Sequence, residues 1–138
     1  MRTGMHKSQR ERGAAALEFA LVLPVFLILI FGLVDFGRML NDQIQVTNAA
    51  REAVRMEALA LPGSAQARVN ASTPLGAAAT IASSTPCSSS SQPTDSASAT
   101  VTYNFSFITP VGSIMGLVLP ASHGVVQLSS TASMRCGG

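Results

Sequence analysis

Residues 14–34 read AAALEFALVLPVFLILIFGLV, 21 residues with a single ionisable side chain, Glu18. At about 1.5 Å of rise per residue they make a helix of ~32 Å, close to the hydrocarbon thickness of a bilayer. Pro24 lies inside the run, which a transmembrane helix tolerates better than a soluble one, with room for a kink. A secretory signal peptide would have a shorter apolar core, about 7–15 residues, ending at a small-residue cleavage site. The DFGRMLND that follows here contains no such site, and no cysteine ends the run as a lipoprotein-type anchor would require.

Upstream, residues 1–13 carry Arg2, Lys7, Arg10 and Arg12 against Glu11 alone, a balance of +3, while the rest of the chain balances to −1. A basic flank before an apolar run marks the end retained in the cytoplasm rather than a nucleic-acid patch. Only 12% of the 138 residues are charged, about half the usual share, and mean hydropathy is +0.35, which points to a membrane segment. Downstream, residues 35–61 continue without a proline and with Gly37 as the one weak point. Phe36, Leu40, Ile44 and Thr47, with Met39, Val46, Ala50 and Val54, form an apolar stripe, and Arg38, Asp42, Gln45, Glu52, Arg55 and Glu57 supply polar surface. Pro62-Gly63 stops the pattern. The expectation is one helix of roughly 45–48 residues, half in lipid and half an amphipathic stalk in water.

Residues 62–98 are rich in Ser, Ala and Thr and read as a linker, with a short helix expected near Leu75–Ser83 and a mobile CSSSSQPTDSAS loop after it. Residues 99–138 carry two strand patterns. Val101, Tyr103, Phe105 and Phe107 alternate with polar residues, as do Val126, Leu128, Ala132 and Met134, with Ser130 a gap. Between them PVGSIMGLVLP reads as a short helix, a lid over the sheet or a second membrane-contacting loop. An isolated hairpin is marginal in water, so its apolar face needs the stalk. The fold class is therefore α+β: a long transmembrane helix continuing as a stalk, with a small head containing an antiparallel β-hairpin. Cys87 and Cys136, 49 positions apart with no metal-ligand spacing, suggest one structural disulfide in an extracytoplasmic head, the alternative being two buried thiols.

The pattern RERGAAALEF, residues 10–19, resembles the processing site of type IV-type prepilins in its Flp form: basic leader, glycine, four small or apolar residues, then Glu-Phe. The resemblance continues through ALEFALVLP, GLVDFGR and TNAAREAVR, about a third of the chain, and is to the TadE-like family of pseudopilins of the tight-adherence pilus. It implies cleavage between Gly13 and Ala14 by a membrane prepilin peptidase, insertion in the inner membrane with the N-terminus cytoplasmic, and assembly with other pilin subunits and the membrane platform. It also implies that Glu18, mature position 5, pairs with the new α-amine of a neighbouring subunit, which answers the cost of a lone carboxylate in lipid. The alternative for Glu18 is snorkelling toward the interface. Asp35 and Arg38 read as a boundary marker and local i,i+3 pair, Ala16 and Ala20 as a small-x₃-small spacing or simply common alanines, and Arg51, Glu52 and Arg55 as a solvated face.

Signals for catalysis are weak. His6 lies in the leader and His123 stands alone; GSIMG has its serine misplaced for a nucleophile elbow; Asn70-Ala71-Ser72 is only a short sequon match. No cofactor, metal site, nucleic acid or small-molecule substrate is expected. Two other classes remain as alternatives: a bitopic envelope protein binding a partner through its head, and a secreted domain released by signal peptidase.

Overall fold

The computed structural model describes residues 5–118 and 124–136. Helix α1 runs unbroken from Met5 to Ala58, 54 residues, through Pro24. It begins earlier than the apolar pattern, because nothing in the leader breaks a helix, and it ends three residues before Leu61. Its stop is built by the backbone. Ala60 takes φ 45° and the Leu61 N–H donates to the Met56 carbonyl at 3.2 Å, the six-to-one bond of a Schellman ending.

The head is a three-stranded antiparallel sheet in the order β1 (Thr80–Thr85), β2 (Ser96–Ser106), β3 (Val125–Arg135). The expected hairpin is β2–β3, in continuous register from Ser96↔Arg135 to Ser106↔Val125. One sheet face meets α1 through Ala97, Ala99, Val101 and Phe105 of β2 and Leu128 of β3, all buried. Against them α1 sets Val46, Ala49, Ala50, Ala53, Val54 and Ala58. Alanine on both sides lets helix and sheet approach closely, and larger Phe105 and Tyr103 fill the space toward Met39. The other face is hydroxylic, with Thr100–Thr131 at 2.8 Å and Thr80–Thr102 at 3.3 Å across strands.

Two expectations are corrected. Phe36, Leu40 and Ile44 are not part of the face that receives the head; they remain 53%, 48% and 59% exposed. The sheet seats on the flatter alanine face instead, and these three continue the apolar surface of the upper helix on another side. Residues 62–98 are also more than a linker. Helix α2 (Ala65–Ser72) packs back on α1 through buried Val69, and the expected helix at Leu75–Ser83 is a 3₁₀ turn, Gly76–Ala78, followed by β1. The Gln66 amide holds this change of direction: Nε2 donates to the Ala79 carbonyl and Oε1 accepts from the Ile81 N–H, both at 2.8 Å. Pairing with β2 overrides the alanines' helix propensity there. The serine-rich stretch turns at Ser88–Ser91 and at Gln92–Asp95 before β2.

The strands have a direction relative to α1. The Cys87 N–H donates to the Glu57 carbonyl at 3.0 Å, near the helix end, whereas Phe105 lies beside Arg38. β2 therefore runs back toward the apolar half of α1 and β3 returns, so their connection lies at that end of the head. There α3 (Val111–Val118) begins.

Candidate functional site

Gly13, Ala14 and Glu18 lie on the exposed surface of α1. A Cβ added at Gly13 would meet no atom within 4 Å, so the glycine answers no packing need of the folded chain. Glu18 sits between Leu17 and Phe19, each 65% exposed, and among the described residues it joins no ion pair. The helix from Gly13 onward is long and apolar enough to cross a membrane, a candidate membrane anchor whose apolar side chains the head leaves uncovered.

One residue beyond the apolar run, Asp35 is 1% exposed. Oδ1 accepts from the Ile108 N–H at 3.3 Å, and Oδ2 accepts from the Thr109 N–H at 3.3 Å and from the Thr109 hydroxyl. Arg38 Nη1 lies 3.5 Å from Oδ1, and the guanidinium carbon stands 5.3 Å from the centroid of the Phe105 ring, within cation–π range. Burial pushes the Asp35 carboxyl up, but the Thr109 hydroxyl, the two backbone N–H groups and Arg38 more than offset it and leave the pKa below its ordinary 3.8. The i,i+3 pair expected from sequence is present; the loop it holds is not visible in the sequence, because its donors lie more than seventy residues away. Thr109 carries the link onward: its Oγ1 accepts from the Val111 N–H at 3.3 Å and its carbonyl from the Gly112 N–H at 3.2 Å, capping α3 ahead of Pro110.

At the far end of the head Cys87 and Cys136 form a disulfide with Cα atoms 5.7 Å apart. The disulfide ties the end of β3 to the segment after β1, and next to it the Cys136 N–H donates to the Asp95 carbonyl at 2.9 Å, tying β3 to the turn before β2. Glu52 lies between Arg55 at 4.0 Å and Arg68 at 3.4 Å, partly exposed, and these charges line a cleft of about 500 Å³ with Met56, Leu61 and Ala67. Among the described residues no three His, Cys, Asp or Glu side chains gather as a metal site; His123 lies outside the described residues.

Comparison with curated proteins and with solved structures returned no match. Residues 13–55 do match a family model, described as TadE-like protein. The match starts at the glycine ahead of the apolar run and ends on the stalk, taking in Glu18, Asp35 and Arg38. The chain thus carries a TadE-like segment over the candidate anchor helix and most of its continuation.

Proposed function

We propose that the chain is a membrane-anchored minor pilin or pseudopilin of a Tad (Flp) pilus, trimmed after Gly13 by a prepilin peptidase and then assembled with other subunits. The TadE-like match over residues 13–55 carries this reading, since it points to a Tad pilus-related protein. The role is structural rather than catalytic. The chain would lie in the bacterial inner membrane with its N-terminus cytoplasmic, its leader basic and its head outside. Its partners would be the peptidase, neighbouring pilin-like subunits, the membrane platform and lipid.

Physical chemistry supports each step. A peptidase needs its scissile bond out of helix, and glycine is about 1 kcal/mol easier to unwind from a helix than alanine. A Cβ added at Gly13 would meet nothing within 4 Å, so no packed side chain crowds that position. Cleavage there makes an α-amine at Ala14, four residues or about 6 Å along the helix from Glu18. A lone charge costs about 2.5–3.5 kcal/mol at the bilayer centre on insertion scales and less toward the edge, where Glu18 lies, and a neighbour's amine would remove that cost only at one stagger of the two helices. Glu18 would thereby set register between subunits. The exposed Phe36, Leu40 and Ile44 would extend the helix–helix contact beyond the membrane.

Glu18→Ala tests the pairing. The variant should insert as well as the natural chain and be trimmed, yet fail to support piliation of its cell. Normal piliation would remove the register role.

A further inference from the structure

We infer that α3, together with Ile108 just ahead of it, is a second membrane contact that lies in the bilayer interface beside the spanning helix. The inference rests on the reading of residues 14–34 as a span. Five observations converge on it.

Asp35, one residue past the apolar run, holds Ile108 and Thr109 by three hydrogen bonds. Thr109 in turn caps α3, which starts at Val111; two residues of chain reach at most about 7 Å. If Val34 ends the hydrocarbon span, α3 begins at the interface. The strand direction agrees, because β2 approaches that end of the head and β3 leaves it.

Composition fits a lipid surface. In α3, VGSIMGLV, Leu117 is 87% and Ile114 46% exposed, and Ile108 just ahead of the helix is 66% exposed. Exposure of such residues in one short connection exceeds what a solvated turn needs. Between Asp95 and Arg135 the chain has no Asp, Glu, Lys or Arg, so the connection approaches the bilayer without desolvating a charged side chain. Two glycines also hold the two ends of the connection close together. A Cβ at Gly112 would come within 2.7 Å of Phe107 Cβ, and one at Gly124, φ +72°, within 2.9 Å of the Gly112 carbonyl oxygen. Only glycine at both positions allows Phe107, α3 and the start of β3 to close on one another. The apolar residues then project outward from a fixed base. A lipid interface suits this surface better than a protein groove, because its height is fixed by attachment to the spanning helix itself.

The chain has no tryptophan, so single replacements report their surroundings directly. Leu117→Trp removes no packing, given its exposure. Phe26→Trp in the span and Ser90→Trp at the far turn serve as references. Each full-length variant is reconstituted in phosphatidylethanolamine–phosphatidylglycerol vesicles without bromine, with bromine near the headgroup end of the acyl chains, which reaches the interface, or with bromine near their methyl end, which reaches the middle of the span. The expected result is blue-shifted emission and loss of most intensity to bromine for Leu117→Trp and Phe26→Trp, with Ser90→Trp quenched by aqueous iodide alone. Leu117→Trp behaving like Ser90→Trp, while Phe26→Trp is quenched by bromine, would overturn the inference and leave the span intact. Blue-shifted Leu117→Trp emission insensitive to bromine would mean a protein partner and equally overturn it. A Phe26→Trp insensitive to bromine would overturn the span reading and this inference together.

Discussion

Asp35 is the residue on which the head's orientation turns. Its two oxygens face two N–H groups and a hydroxyl from one loop, with Arg38 beside them. Asparagine has the same outline but would point an NH₂ at donors. Asp35→Asn should therefore release the loop, raising amide exchange at Ile108 and Thr109 on the order of tenfold or more at neutral pH. The folded pKa lies below the ordinary 3.8, so the docking stabilisation is complete above that value and is lost as pH falls below it through the folded pKa. NMR shifts of the two amides should stay constant from neutral pH down to about 4, then move toward those of Asp35→Asn. Movement beginning near pH 6 would count against the carboxylate. Sequence reading pairs Asp35 with Arg38 by their i,i+3 spacing, and that pair forms. It had no access to Thr109, since a partner more than seventy positions away leaves no periodicity behind.

At the scale of elements, the long helix and the β2–β3 hairpin were legible because each repeats its period many times. The rotation of the stalk was not. Phe36, Leu40 and Ile44 were grouped with Met39, Val46, Ala50 and Val54, yet the sheet chose the alanine side, where close approach replaces bulk. β1 and α2 were missed for a similar reason: TIASST has little strand pattern of its own, and its place is set by pairing to β2 and by Gln66. The helix stop is also a backbone event. Ala60 occupies the left-handed region, φ 45°, which costs an L-residue roughly 1 kcal/mol. Ala60→Gly should relieve it and stabilise the head by about 0.5–1 kcal/mol in denaturant titration. An unchanged or lowered midpoint would show that the ending carries no such strain.

For the whole molecule, the head has a small, alanine-rich core clamped at two ends, by Asp35 near the apolar half of α1 and by Cys87–Cys136 at the far end. Small domains of this kind lean on such staples. Closing a span of 49 residues is worth about 4 kcal/mol in the chain-entropy model. Cys87→Ser with Cys136→Ser should lower head stability by about 2–4 kcal/mol and leave membrane insertion of α1 untouched. Two labelled thiols in the unreduced natural protein would contradict the bond. The candidate processing site stands apart from this architecture. Gly13 and Glu18 touch nothing in the fold, so their meaning came from the spacing of GAAALEF and the TadE-like match, and packing adds only that both are accessible. Cleavage of the Gly13–Ala14 bond is decided by the N-terminus of the protein taken from its own cell, read by mass spectrometry. A chain beginning at Ala14 is expected; a chain that keeps residues 1–13 while the peptidase is present would rule the cleavage out.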